Sequence, residues 1–273
     1  MEQVPIHIRT FEPRYYELDT RGELIPSAMI RLFEETASSH LEETGWNVYR
    51  LLEAGFGWIL LQGSFTMERY PRYQEQFNIE TWVPGCYRFY GLRQFLVRDT
   101  QGKIIGTAHS LWIFFDLSRN RPSVPFKEIL EVWKPNSNGI LRRENLGGVV
   151  PELFSDLKAD ESCFRNAHEV HHFDIDTNGH VNHVRYIDWV LDAIPDELRE
   201  HYRLRSMSGS YIHEILLGQR VLPYAEILKH DSNHFDELTV QLAIYSGSEG
   251  SGTAMQDARL AANAVSTWVP RLG

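Results

Sequence analysis

Asp19-Thr20-Arg21-Gly22 and Asp176-Thr177-Asn178-Gly179 are near-copies of one tetrapeptide, 157 positions apart (176 − 19 = 157), and each leads into a helix-forming stretch. Beyond the first copy, Pro26 to Gly45 sets Met29, Leu32, Phe33, Ala37 and Leu41 at three- and four-residue steps, with Glu34, Glu35, Glu42 and Glu43 elsewhere on the cylinder. That spacing predicts an amphipathic helix, with Ser27 capping its first amides and Gly45 taking the left-handed stop. Runs rich in β-branched and aromatic residues follow: Gly57 to Tyr70, Phe77 to Val83, Arg88 to Asp99 and Lys103 to Leu117. Broken by Pro84-Gly85 and Gln101-Gly102 turns, they read as an antiparallel sheet. Beyond the second copy the order repeats. A helix is predicted over Val181 to Ile194, then strands over Leu204 to Leu216, Tyr224 to Lys229, Leu238 to Ser246 and Ala254 to Val269.

Two further landmarks recur in the same order. Gly63-Ser64 with Glu68 answers Gly209-Ser210 with Glu214 (214 − 68 = 146), and Ala108, Ser110 and Trp112 answer Ala264, Ser266 and Trp268 (268 − 112 = 156). Together the three predict a duplicated unit, one helix wrapped by an antiparallel sheet, with about ten residues lost between helix and second strand in the later copy. A sheet with one apolar face needs a covering layer, and a sheet curled around a central helix supplies it. By fold-level analogy the expected class is α+β, a tandem (double) hot dog. Lys134 to Asp160 carries Pro135-Asn136, Asn138-Gly139, Gly147-Gly148 and Pro151 and reads as a connector. The expected divisions are an N-terminal unit over 1–133, a connector over 134–160 and a C-terminal unit over 161–273.

Composition narrows the function. With 273 residues and 42% hydrophobic content, the chain can bury two cores of ordinary size. A formal charge of −10 argues against a nucleic-acid surface, which needs clustered Lys and Arg. Cys86 and Cys163 are the two cysteines, far apart and outside any CxxC or Cys/His spacing, so neither a disulfide framework nor structural zinc is expected. No apolar run reaches the roughly 18 residues of a membrane span. Met1 to Arg14 has charges and a proline where a signal peptide would be apolar, which points to a cytoplasmic protein.

The two halves differ where chemistry is expected. The later copy has Asn178 and His180 where the earlier has Arg21 and Glu23, and Glu214 is expected on the following strand. Asp176 through His183 is a turn entering a helix, so backbone amides and the helix dipole are available to an oxyanion there, although the same residues also suit a purely structural turn. In the run His168, His171, His172, His180 and His183, the HxxH spacings 168/171 and 180/183 are not the i, i+4 pair that sets two imidazoles on one helical face, and the mixed turn spacing weakens a metal site further; the calcium-loop likeness of Asp174, Asp176 and Asn178 fails at Arg185, where a bidentate Glu is needed. No metal and no cofactor are expected. Cys86 and Cys163 read as small buried residues, and no GxSxG elbow is present, which leaves attack by an activated water.

Asp176-Thr177-Asn178-Gly179-His180-Val181-Asn182 with Tyr186-Ile187-Asp188-Trp189 resembles the signature of acyl-acyl carrier protein thioesterases. Tyr211-Ile212-His213-Glu214 resembles the strand carrying that family's catalytic Glu, and Glu35-Thr36-Ala37, Leu96-Val97-Arg98-Asp99 and Ser110-Leu111-Trp112 resemble its N-terminal unit. The resemblance implies Asp176, Asn178, His180 and Glu214 as the working set, hydrolysis of fatty-acyl thioesters on an acyl carrier protein, and a double hot-dog fold. Plant members usually have a Cys after that Glu; here Ile215 stands there, which argues against a thiol mechanism. The expected chemistry is water oriented and deprotonated by Glu214 and Asp176, with Asn178, His180 and helix-start amides on the carbonyl, or with His180 itself as base. The absence of a transit peptide points to a bacterial cytoplasm. The first unit is then expected to enclose the acyl chain, with Met29, Phe33, Leu60 and Phe65 as candidates. An acidic carrier calls for a basic strip, and Arg88, Arg93 and Arg98 with Arg142 and Arg143 are the nearest clusters. An acyl-CoA thioesterase, a 3-hydroxyacyl dehydratase or a non-catalytic acyl sensor are the alternatives the fold admits; a homodimer is admitted but not specified.

Overall fold

A computed structural model of the chain describes residues 4–135, 167–228, 237–248 and 256–271. The chain divides into two compact units, 1–151 and 152–273. The connector expected over 134–160 lies almost wholly outside the described residues, as do Cys163, Arg142 and Arg143.

The first unit contains β1 (His7–Phe11), α1 (Pro26–Glu42), α2 (Val48–Glu53), β2 (Phe56–Met67), β3 (Phe77–Tyr87), β4 (Tyr90–Asp99), β5 (Ile104–Asp116), β6 (Arg121–Pro122) and α3 (Lys127–Trp133). Its strands pair antiparallel in the order β1-β3-β4-β5-β2, with β6 beside β5. Helix α1 packs on β3 and β1. Ala28, Met29, Phe33 and Leu41 of α1 are buried, and the Phe33 ring meets Phe95 of β4 at 5.0 Å. Each such large side chain contributes about 1.5–3 kcal/mol by leaving water. The start of α1 differs from expectation: Ile25 is the cap residue, Pro26 is the first helical residue and Ser27 is buried without capping. Proline lacks the amide that a cap would have to satisfy, so no side-chain cap is needed there.

Pro84-Gly85, expected as a turn, is a bulge inside β3, between Trp82 and Gly85 in the register with β4. Proline has no amide for the ladder, and a bulge accommodates it without ending the strand. The chain reverses after Tyr87, where Arg88 has a φ of 54°.

The second unit contains β7 (His168–Glu169), α4 (His183–Asp192), α5 (Asp196–His201), β8 (Tyr202–Tyr211), β9 (Arg220–Leu228), β10 (Leu238–Ser248) and β11 (Gln256–Pro270). Its strands pair antiparallel in the order β8-β11-β10-β9-β7, and α4 packs on β9 and β10. Val184, Tyr186, Trp189 and Val190 form the buried face of α4. Each unit is thus the expected sheet around a main helix, the hot-dog arrangement twice over.

The duplication is visible in hydrogen bonds. Asp19 N donates to Glu23 O (2.8 Å) and Gly22 N to Asp19 O (3.0 Å); Asp176 N donates to His180 O (2.8 Å) and Gly179 N to Asp176 O (3.1 Å). Both glycines have positive φ, 75° and 81°. The indole of Trp112 donates to Ser110 Oγ at 2.7 Å, and that of Trp268 to Ser266 Oγ at 2.9 Å. The middle landmark is corrected. Leu60 pairs with Trp112 ahead of a bulge, and Leu204 pairs with Trp268 ahead of another, so the strands correspond at a separation of 144 (204 − 60 = 144). Leu24 N bonds Pro71 O and Val181 N bonds Ile215 O, again 144 apart on the acceptor side (215 − 71 = 144). The counterpart of Glu214 is therefore Tyr70, not Glu68. Gly209 has a local cause instead: a Cβ there would meet Asn263 O at 2.8 Å and Ala264 Cβ at 2.9 Å on β11.

Candidate active site

The turn before α4 is built by its own residues. Oδ1 of Asp176 accepts from Asn178 N at 2.8 Å, and Oδ2 lies 3.4 Å from Asn178 Nδ2, so this carboxylate shapes the turn and orients the Asn178 amide. Gly179 supplies the left-handed residue the turn requires, with nothing within 4 Å of where a Cβ would stand. Asn182 caps α4 by accepting from Val184 N at 2.8 Å. Arg185 ties the helix to the preceding segment through Asp174 Oδ1 at 3.2 Å.

Glu214 is not on the strand where it was expected. β8 ends at Tyr211, because residues 212–219 leave the ladder and form a loop into β9. Val181 N donates to Ile215 O at 2.9 Å, which brings this loop against the turn. The result is contact between His180 Nε2 and Glu214 Oε2 at 3.1 Å, with the two side chains 40% and 64% exposed. An imidazole held at one nitrogen by a carboxylate and open to solvent is an arrangement suited to proton transfer.

The structure thus brings His180 to Glu214 and Asp176 to Asn178. It removes much of the expected backbone oxyanion site. The amides of Asn178, Gly179, Val181, Asn182, Val184 and Arg185 are already engaged by Asp176, Ile215, Asp174 and Asn182. A turn tight enough to close on itself uses its own amides. The first unit keeps the turn but not the pair: Arg21, Glu23 and Tyr70 occupy the places of Asn178, His180 and Glu214, and Glu23 faces Arg72 at 3.5 Å.

Tyr186, part of the motif quoted from the sequence but not among the expected site residues, also reaches the site. It is 5% exposed, and its hydroxyl donates to His213 O at 3.3 Å, next to Glu214. Burial, with the nearby Glu214 and Asp176 carboxylates, pushes that hydroxyl above the ordinary phenol value. The available signal was its place on the buried face of α4, one turn beyond Asn182.

Met29, Phe33 and Phe65 are buried in the first unit and Leu60 is half-buried there. Arg88, Arg93 and Arg98 do not form a surface strip. Arg93 is buried, its Nη1 donating to His40 Nδ1 (3.1 Å) and Thr81 Oγ1 (3.2 Å), while Arg98 pairs with Glu80 at 2.8 Å. On a strand, successive side chains alternate faces, so a step of five residues puts neighbours on opposite sides. Burial pushes the Cys86 thiol up to about 12, against a nucleophilic role. Among the described residues no three His, Cys, Asp or Glu side chains form a metal-holding group, and no helix is long and apolar enough to cross a membrane.

Comparison with known proteins adds a family. Residues 5–133 match the model of the acyl-ACP thioesterase N-terminal domain, and residues 157–261 match that of the acyl-ACP thioesterase C-terminal domain. A chloroplastic palmitoyl-acyl carrier protein thioesterase from Arabidopsis thaliana is 27% identical over 222 residues, covering 76% of this chain and 51% of the relative. The chain spans about half the length of the curated relatives it matches. In three dimensions it is similar to a Lactobacillus plantarum protein described as an oleoyl thioesterase (TM-score 0.84, 22% identity, 99% of this chain and 98% of that one). It is also similar to an acyl-ACP thioesterase from Bacteroides thetaiotaomicron (TM-score 0.73, 23% identity, 96% and 97%).

Proposed function

The chain belongs to the acyl-ACP thioesterase family, and from that premise we propose that it hydrolyses fatty acyl-[acyl carrier protein] thioesters to free fatty acid and carrier protein, ending chain growth in fatty acid synthesis. The observation that carries the reading is the 3.1 Å contact between His180 and Glu214 beside the Asp176–Asn178 turn. A water oxygen attacks the thioester carbonyl carbon, and its proton passes to the Glu214–His180 pair. The carbonyl oxygen, now anionic, is met by the side-chain amide of Asn178, which Asp176 holds in place; one such donor is worth about 3 kcal/mol in the transition state. Collapse breaks the carbon–sulfur bond, and the departing thiolate recovers the proton. This assigns Asp176 to orientation and not to proton abstraction, since both its oxygens face the turn. The second unit supplies the chemistry, and the first, with Met29, Phe33, Leu60 and Phe65, encloses the acyl chain. The partner is the carrier protein and the setting is the cytoplasm.

The test is release of free fatty acid from a panel of carrier-linked and CoA-linked thioesters of different lengths. Hydrolysis of carrier-linked chains by the intact protein, lost about a hundredfold in Glu214→Ala and His180→Ala, supports the reading. Preference for CoA thioesters would move the function to an acyl-CoA thioesterase, and no hydrolysis of any thioester would leave an acyl-binding role.

A further inference from the structure

Glu214 has an unusual support for a residue proposed to act in catalysis. It lies beyond the end of β8, so no ladder fixes it, and its side chain is largely exposed. Its loop is closed in its later half by Leu216 N to Gln219 Oε1 at 2.8 Å and Gly218 N to Val170 O at 3.3 Å, and the part around Glu214 is held by a further set of contacts. Ile212 N and His213 N both donate to Ala261 O, at 2.8 and 3.1 Å, and Ile215 is fully buried. Beyond Glu214, Ile215 O accepts from Val181 N at 2.9 Å, a residue of the turn carrying His180. Just before it, His213 O accepts from the hydroxyl of Tyr186 at 3.3 Å.

Tyr186 is well placed for such a task. It stands on α4, the helix that the His180 turn leads into, and it is 5% exposed. Its ring meets Tyr211 edge-on at 5.3 Å and Trp189 at 6.0 Å, contacts that restrict its side-chain torsions. Tyr211, the last residue of β8, in turn donates its hydroxyl to His183 O at 3.3 Å, at the first residue of α4. Both members of the His180–Glu214 pair are therefore referred to one rigid element, His180 by chain continuity and Glu214 through a phenol. A phenylalanine would fill the same volume but would leave the His213 carbonyl without that donor.

We propose that Tyr186 is a positioning residue, holding the His213–Glu214 peptide so that the Glu214 carboxylate stays against His180. The proposal rests on the thioesterase reading for its catalytic consequence but not for its structural one. Rigid placement of catalytic groups matters because displacements of about 1 Å can cost a hundredfold in rate.

The experiment compares wild type, Tyr186→Phe, Glu214→Ala and the double variant for kcat and KM on an acyl-carrier thioester, with amide hydrogen exchange over residues 212–219. Tyr186→Phe is expected to lower kcat about tenfold with KM within about twofold of wild type, to speed exchange in that loop, and to cause no further loss when Glu214 is already alanine. A kcat within about twofold of wild type, or an equal loss in both backgrounds, would overturn it, since a role independent of Glu214 is additive. If wild type cleaves no thioester, the functional reading fails by itself; unchanged loop exchange in Tyr186→Phe would then sink the positioning role as well.

Discussion

Asp19 and Asp176 hold similar turns, each accepting from the amide two residues on, at 2.9 and 2.8 Å, with Asp19 also accepting from Glu23 N at 3.0 Å, yet only the second is followed by the imidazole that meets a carboxylate. The first is therefore an internal control for the second. Asp19→Ala and Asp176→Ala should each cost about 1 kcal/mol in urea melts, the usual worth of such a bond, while only Asp176→Ala lowers kcat, because it alone releases Asn178. Equal loss of turnover in both would show that turn stability and not site chemistry is responsible. His180 and Glu214 behave oppositely. Both are substantially exposed, so alanine at either should leave stability within about 0.5 kcal/mol while turnover falls by about two orders of magnitude. The turn that carries Asp176, Asn178 and His180 was legible in the sequence because a turn is local and its residues are adjacent in the chain; the roles proposed for them came with the family resemblance. Glu214 was reached through family resemblance; its apparent twin, Glu68, was misleading by two positions, since the strands correspond at 144 and not 146.

At the level of elements, close approach and burial decide what the strands tolerate. Gly209 of β8 leaves no room for a Cβ against Asn263 O and Ala264 on β11, so Gly209→Ala should destabilise the second unit by about 1–3 kcal/mol, read as a lower urea midpoint. In the first unit, α1 presses His40 onto β3 and β4, where Arg93 Nη1 donates to its Nδ1. Burial, followed by the Arg93 charge and His7, lowers His40 from 6.5 to about 3. The unfolded chain then binds a proton that the native chain refuses between those values, so this contribution is full above about pH 6.5 and is lost as pH falls toward 3. The slope from this one group is at most about 1.4 kcal/mol per pH unit. His40→Gln, which keeps an acceptor for Arg93 but does not titrate, should narrow the gap between urea midpoints at about pH 7.5 and about pH 5; an unchanged gap would place the acid sensitivity elsewhere. The helix and strand periods were readable in advance. The bulge at Pro84-Gly85 and the interior position of Arg93 were not, because each depends on the strand alongside.

For the whole molecule, the proposed chemistry draws on side chains alone. Turnover should survive exhaustive treatment with EDTA, measured as fatty-acid release before and after dialysis; loss restored by a divalent ion would overturn the water-activation scheme. The sequence by itself determined the duplication, the helix-and-antiparallel-sheet order of each unit and the turn that carries Asp176, Asn178 and His180, while the hot-dog class came by analogy and family resemblance. Periodicity, turn chemistry and internal similarity are properties of neighbouring residues, and they survive without knowledge of partners across space. Tertiary structure decided the rest. That Glu214 leaves β8 and returns to His180, that the Tyr186 hydroxyl reaches the peptide before it, and that Val181 N bonds Ile215 O all follow from contacts between segments roughly 30 residues apart. Such contacts are set by which backbone groups find partners once the sheet has closed on its helix, and no local pattern encodes them.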